Sequence, residues 1–345
     1  MAYYDVTTRE QFQSAKVVSA FTSKEFPTIE MIKKGTDSYE GMDDQLREFI
    51  SKTGDNTFTM PTLPDETFAV TNQETFIIPA HFGLSGTHTG TIYTHATGFQ
   101  MVKAMFNENI VKYETKFADN LLKVSRAIAQ AMTTNILSII DGCKTQILPI
   151  NYAEDEGLIF AGSQLTVSRT AQEAKNFISI IKQLMKTNKI TDVLQLLTSP
   201  GMTLTELSKE NYGANNEKNI QELYPEMFVE SDLTTVQRWV AYFFPKGTFA
   251  FIPNISMDNR TGTKTNDGWE WGMTGGTVPY VNDRLMTKYT SMAVDASGLS
   301  VNLTSYKTTA LEMFGFAYKY CVLTPYNQDA ANYMYPNLKV VGLKS

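Results

Sequence analysis

The longest periodic stretch of the chain lies between Tyr113 and Leu148. Phe117, Leu121, Val124, Ile128, Ala131, Asn135 with Ile136, Ile139 and Cys143 recur at steps of three and four, and Lys116, Lys123, Arg126, Gln130 and Thr133 fall on the other side. This predicts an amphipathic helix of about 32 residues, roughly 48 Å long at 1.5 Å per residue. Gly142 near its end and Pro149 just beyond supply a stop. A helix of that length crosses an entire ordinary domain, so it is expected to be a spine.

Upstream the period changes. Across residues 54–98 Phe58 and Met60 alternate with Thr, as do Phe68 and Val70, which is the two-residue period of a strand. Pro61, Pro64 and Pro79 exclude a central strand and point to an edge or a free-standing hairpin. Such a ribbon buries little by itself and is expected to need a partner chain. The first 50 or so residues are weakly patterned: a short helix is expected over Asp43 to Ser51, carrying Leu46, Phe49 and Ile50, and the remainder reads as an arm that depends on something else for order.

Downstream, Thr170 with Glu173 forms a capping box ahead of Ala174, Phe177, Ile178, Ile181 and Leu184. Thr203 with Glu206 forms another after the Ser199-Pro200-Gly201 turn, and the apolar run Val193 to Leu197 between them has strand length. Residues 245–298 are loop-heavy and hold 7 of the 21 glycines, with a strand from Thr248 to Ile252 ending at Pro253. The tail returns to strand pattern over 311–324, where Met313, Phe316, Tyr318, Tyr320 and Val322 are apolar or aromatic. The fold class expected is α+β.

Composition narrows the functions open to such a chain. With 345 residues, 42% of them hydrophobic and 19% charged, it has material for a real core and about two domains. The net charge of −6 disfavours a protein whose main task is to coat phosphates. Two cysteines, Cys143 and Cys321, exclude a disulfide scaffold and an all-cysteine metal cluster. The start MAYYDVTTREQF carries no basic-then-apolar segment and no stretch has the length of a membrane span. The expectation is a soluble protein made in a reducing cytoplasm, with no membrane partner.

No nucleophile–base–acid set can be assembled from the sequence. His81, His88 and His95 recur every seven residues, but in a ribbon that spacing puts them on opposite faces or different strands, so no metal site is expected. The segment Asp267 to Gly272 sets Trp269 and Trp271 around Glu270. Aromatic faces beside Asp267 and Glu270 suit sugar binding and glycoside hydrolysis, although two aromatics anchoring an interface loop explain them more simply. Gly262 to Thr265 lacks the spacing of a phosphate loop, and Ala153 to Gly157 is an acidic run best read as a solvated loop. Cys143 lies on the apolar helical stripe and reads as a small core hydrophobe. Catalytic, cofactor-binding and metal residues are therefore expected to be absent.

The order of elements carries more information than any motif: arm, Pro-punctuated ribbon, very long helix, α/β region, Gly-rich region, final long strand. This order resembles the major capsid proteins of tailed bacteriophages, with the Hong Kong 97-type fold. FADNLLKVSRAIAQAMTTNILSIID is similar to that family's spine helix, and DVLQLLTSPGMTLTELSKENYG to its strand, Ser-Pro turn and helix. NIQELYPEMFVESDL followed by YFFPKGTFAFIP resembles its axial region.

The resemblance implies an N-terminal arm over 1–52, an extended loop over 53–99, a peripheral domain from 100–170 and 300–345, and an axial domain over 171–299. It implies a non-enzymatic subunit that self-associates through hexamers and pentamers into an icosahedral head enclosing double-stranded DNA without reading its sequence. Such a virion protein is assembled in the bacterial host cytoplasm, with scaffold, decoration and portal proteins as further partners. An encapsulin-like compartment, a tail or baseplate component, and a carbohydrate-active enzyme using Asp267 and Glu270 are the alternative readings.

If the long helix sets the fold, Ile128→Pro abolishes soluble expression, because proline in a helix interior costs about 3 kcal/mol or more. Normal yield with unchanged helical circular dichroism contradicts this.

Overall fold

The computed structural model describes residues 25–39, 44–53, 56–62, 86–102, 110–146, 158–161, 163–167, 181, 183–186, 194–202, 226–233, 235–254, 270–274, 276–294, 309–325 and 335–342. Helix α1 (Pro27–Gly35) runs into a 3₁₀ turn (Thr36–Ser38) and is followed by helix α2 (Asp44–Lys52), strands β1 (Thr57–Thr62) and β2 (Gly86–Val102), and helix α3 (Ile110–Gly142). Strands β3 (Leu158–Ala161), β4 (Gln164–Val167) and β5 (Leu194–Thr198), a single turn α4 (Pro200–Met202), and strands β6 (Glu226–Val229), β7 (Trp239–Pro245) and β8 (Ala250–Pro253) come next. Strands β9 (Glu270–Met273), β10 (Met286–Val294), β11 (Thr309–Leu323) and β12 (Leu338–Gly342) complete the order. This is a mixture of helix and sheet, as the sequence led us to expect.

The strands form two sheets. In the first the order is β1-β2-β11-β10-β9, with β8 also paired to β11. Strand β11 is its axis: one side pairs with β2 from Leu311↔Val102 to Cys321↔Ile92. The other side pairs with β10 as far as Ala317↔Met286 and then with β8 from Tyr320↔Pro253 onward. In the second sheet the order is β3-β4-β12-β7-β5-β6. Every residue of β5 and of β7 is buried, as two-sided cover of inner strands requires. Gly342 pairs with Trp239 across β12 and β7, and a Cβ there would meet the indole at 2.3 Å, so the ring lies over the bare glycine.

Strand pairing cuts across the division drawn from the sequence. Strands β8, β9 and β10, within 171–299, belong to the sheet of β11, while β12, within 300–345, lies beside β7. A sheet needs hydrogen-bonding neighbours and not sequence neighbours, so linear boundaries cannot anticipate this.

Helix α3, at 33 residues, is about 50 Å long and touches both sheets. Near its start Phe117 packs edge-on against Phe99 of β2 and Phe314 of β11, with centroids 5.4 and 5.0 Å apart. At its end Asp141 accepts hydrogen bonds from Tyr242 Oη of β7 at 2.7 Å and Lys339 Nζ of β12 at 2.8 Å. Between these points Leu121, Ile128, Met132, Ile136 and Ile140 are fully buried; each contributes roughly 1.5–3 kcal/mol, more than any cap.

The buried face drifts around the helix relative to the sequence reading. Thr133, placed on the polar side, is fully buried, while Ala131, Ile139 and Cys143 are only half-buried. A helix covered by two sheets is buried over a wider arc than one apolar stripe. The helix also begins at Ile110 rather than Tyr113 and stops at Gly142 rather than Leu148.

The helix ends are closed by side chains from remote parts of the chain. Asn337 Nδ2 donates to the Ile140 and Cys143 carbonyls at the C-terminus of α3 (2.7 and 3.3 Å). Asn254 Nδ2 donates to the Ile50 and Thr53 carbonyls at the C-terminus of α2 (2.8 and 3.0 Å). Phe26, at the N-cap of α1, offers no side-chain cap. Glu230 replaces it, accepting from Thr28 N at 3.3 Å and Thr28 Oγ1 at 2.6 Å. A carboxylate there also meets the positive end of the helix dipole.

Much of the segment read as a dependent arm is therefore core. Ile29, Met31 and Ile32 of α1 join the main hydrophobic cluster. Helix α2 is where it was expected, with Ile50 fully buried but Phe49 54% exposed. Strand β10 was not anticipated, because its mixed sequence MTKYTSMAV lies within the Gly-rich stretch. In β11 the buried side chains alternate from Glu312 through Phe314, Phe316 and Tyr318 to Tyr320 and then run on through Cys321, Val322 and Leu323, while Met313 faces the other way. The capping-box helix expected after Thr170 is represented by residues 181 and 183–186, with Ile181 and Leu184 buried; the helix expected after Thr203 lies outside the described residues.

Burial pushes the Asp141 carboxyl up, but hydrogen bonds from Lys144, Lys339 and Tyr242 outweigh it and hold the group at about 2, against 3.8 ordinarily. A depressed carboxylate stabilises fully above its unfolded value of about 3.9 and loses that contribution as pH falls through its folded value. Thermal midpoints should therefore drop between about pH 4 and pH 2, and Asp141→Asn should flatten that part of the profile. Separately, Gly342→Val should lower stability by about 1–3 kcal/mol through overpacking against Trp239, measured by chemical denaturation.

Candidate assembly surface

Strand β2 does two jobs along its 17 residues. From Ile92 to Val102 it pairs with β11; from Gly86 to Thr91 it pairs with β1, from Thr62↔Gly86 to Thr57↔Thr91. Pro61 sits in β1, at the edge of its sheet, which suits a residue without an N–H to donate. The ribbon is not without internal support at its root. Phe58 covers Gly90, where a Cβ would lie 2.2 Å from the ring. Phe58 and Ile92 form a small cluster with Ile50, Ala250, Ile252, Cys321 and Leu323. The Phe68 and Val70 alternation lies outside the described residues.

Four large apolar side chains are exposed among the described residues: Phe49 (54%), Met227 (37%), Val229 (37%) and Val236 (87%). Phe49 stands edge-on to Phe58 at the ribbon root, with centroids 6.3 Å apart. Met227 and Val229 alternate with the inward Phe228 on β6, the last strand of the second sheet. The continuous run Met227-Phe228-Val229 hides that alternation in the sequence. The strand is pinned from within: Gln195 Nε2 donates to Glu226 Oε2 at 2.5 Å and Lys246 Nζ to Oε1 at 3.1 Å. The Gln195 bond is the largest influence lowering the Glu226 carboxyl, partly opposed by burial and helped by Lys246. A short, rigid edge strand bearing apolar side chains is suited to cover by another chain.

The sequence-level chemical candidates do not converge. His88 and His95 both lie on β2, and His81 lies outside the described residues. No group of three or more metal-ligating side chains occurs among the described residues. Glu270 and Trp271 open β9, paired to Tyr289 and Lys288 of β10, whereas Asp267 and Trp269 lie outside, as do Gly262–Thr265 and Ala153–Gly157. Burial pushes the Cys143 thiol to about 11, slightly offset by a bond with Thr324, and the Cys321 thiol to about 12; neither is a thiolate at neutral pH. No described helix is long and apolar enough to cross a membrane.

A cavity of about 500 Å³ is lined by Lys33, Asp37, Arg47, Phe251 and Asp283, among others. Its charges are already engaged. Lys33 Nζ donates to the Val281 carbonyl at 2.7 Å, Arg47 bonds Asp37 at 2.8 Å, and Tyr318 Oη donates to Asp283 at 2.6 Å.

No protein-family description matches the chain, and no curated protein sequence does. Among solved structures the chain is similar to one titled Mycobacterium phage Bobi, at 11% identity and a TM-score of 0.48, over 94% of this chain and 92% of that one. It is also similar to the asymmetric unit of the bacteriophage PhiM1 mature capsid, at 10% identity and a TM-score of 0.47, over 85% and 83%. The capsid structure of the cyanophage P-SCSP1u matches at 8% identity and a TM-score of 0.46, over 85% of each.

Met227→Lys combined with Val229→Lys should leave circular dichroism and thermal unfolding close to the parent, since exposed substitutions typically change stability by about 0.5 kcal/mol or less. It should weaken self-association measured by light scattering. Parent-like association removes β6 from the assembly surface.

Proposed function

We propose that the chain is the major capsid subunit of a tailed bacteriophage, a structural protein that self-assembles into the icosahedral head around packaged DNA. The observation that carries this reading is the architecture: a ribbon leaving one sheet, and a single long helix joining that sheet to a second. The chain order of these parts is the one that resembles the Hong Kong 97-type fold. In this reading α3 is the spine and β1 with β2 the extended loop. The sheet of β11 with α3 is the peripheral part, and the sheet of β7 and β12 the axial part. The arm expected over 1–52 does not extend through α1 and α2, whose Ile29, Ile32 and Ile50 are buried.

The exposed apolar positions at the ribbon root and on β6 are where neighbouring copies meet. Stabilisation spread over several interfaces, each removing a few such side chains from water, is the energetic logic of a shell. The subunit carries no reaction. Its partners are further copies of itself in rings of six and five, with scaffold, decoration and portal proteins as additional contacts. DNA contact is weak and independent of sequence, in keeping with the net charge of −6. The site of action is the virion, after assembly in the host cytoplasm.

Negative-stain imaging of purified protein, with light scattering across concentration and salt, should show closed shells or rings. A compact 38.7 kDa monomer under all conditions refutes the reading. Replacing 63–85 by a short Gly-Ser linker should keep cooperative unfolding, because the buried root at Phe58 and Ile92 is retained, while abolishing shells of normal size.

A further inference from the structure

Tyr320 is fully buried on the helix-facing side of β11, and its hydroxyl has two partners. Asn135 Nδ2 of α3 donates to it at 2.9 Å, and His95 Nε2 of β2 lies 3.0 Å away. Because the phenol oxygen already accepts from Asn135, its own proton is free to be donated to the imidazole. Nε2 of His95 then accepts, and a neutral ring must carry its proton on Nδ1. The His95 ring also stacks on Tyr320, with centroids 5.6 Å apart. This happens three residues from Ile92, where pairing with β11 ends and the ribbon begins.

We infer that His95 is a proton-sensitive latch: its neutral ring ties the root of the ribbon to β11 and α3, and protonation releases it. A protonated ring carries a donor at Nε2 instead of an acceptor, so the phenol proton loses the partner it has in the neutral state and the hydrogen-bond order Asn135–Tyr320–His95 is broken. The groups facing His95 do not favour its charge. They are Tyr93 on β2 and Tyr318 and Tyr320 on β11, all pushed up by burial and neutral near pH 7, and the uncharged Asn135 on α3. Asp283 lies behind Tyr318 and accepts the proton of that phenol. Burial alone lowers the His95 value. A lowered histidine contributes stability that is complete above its unfolded value of about 6.5 and is lost as pH falls through the folded value. Mild acid therefore loosens the ribbon root, and neutral pH fixes it. The latch belongs to the subunit whether or not it is assembled into a shell.

Hydrogen–deuterium exchange at the imidazole C2 position, followed by mass spectrometry on the full-length protein, reads the titration of His95 apart from His81 and His88. The expected midpoint lies below that of a free histidine and moves up in Tyr320→Phe, which keeps the ring and removes the donor. Backbone amide exchange over 92–97, corrected for the intrinsic pH dependence, should rise several-fold from pH 7 to pH 5 in the parent. In His95→Gln, a half-exposed position that leaves the core intact, it should not respond. A His95 midpoint at or above the free value overturns the inference. So does equal amide protection at both pH values, or an unchanged acid response in His95→Gln.

Discussion

A helix of 33 residues that bridges two sheets has to end inside the protein, and its last carbonyls must find donors there. This requirement governs the surrounding structure. Unsatisfied buried backbone groups cost about 1–3 kcal/mol each, a sizeable share of the roughly 5–15 kcal/mol by which a domain is stable. The donors come from Asn337, on the approach to β12, whose own carbonyl accepts from Thr145 N at 2.8 Å. Asp141, in the same turn, is tied to β7 and β12 by Tyr242 and Lys339. The end of the spine and the middle of the second sheet are thus one unit. The start of the spine is joined to the first sheet by the Phe99, Phe117 and Phe314 rings.

The same logic fixes the two helices nearest the N-terminus. Glu230 holds α1 from a position 202 residues further along, and Asn254 holds α2 across a separation of 204. Early chain therefore waits for late chain, and contacts of such separation slow folding. They also leave the finished subunit with its first two helices fastened to the body. Elements fastened by side chains from distant parts of the chain keep a fixed geometry relative to the body. Phe49 on α2 and Met227 and Val229 on β6 sit on elements held in this way.

The ribbon is the counterpart to that rigidity. Its root is fixed by the Phe58–Gly90 contact on one face and by His95 and Tyr93 against Tyr320 on the other. Beyond Thr57 and Thr91 pairing continues to Thr62 and Gly86. Pro61, which has no N–H to donate, stands on this edge strand. The polar contact at the root sets the His95 imidazole 3.0 Å from the Tyr320 hydroxyl, which Asn135 joins to the long helix.

Local sequence determined the elements whose order lies within themselves. Helix α3 was legible because a 3.6-residue period over so many turns has no other explanation. Strands β5 and β11 were legible as apolar runs of the right length, β1 from Phe58 and Met60, and the edge position of β1 from Pro61. The register with Gly90 and Gly342, the arc of α3 that includes Thr133, and the inclusion of α1 in the core were decided by the tertiary structure. Each depends on which surface arrives opposite, and no local pattern encodes that. The same holds for Glu230, Asn254, Asn337 and the Asn135–Tyr320–His95 chain. A single Asn or Glu in a loop is ordinary in sequence, and it becomes a cap only when folding brings a helix end, with its unpaired backbone groups, within hydrogen-bonding distance.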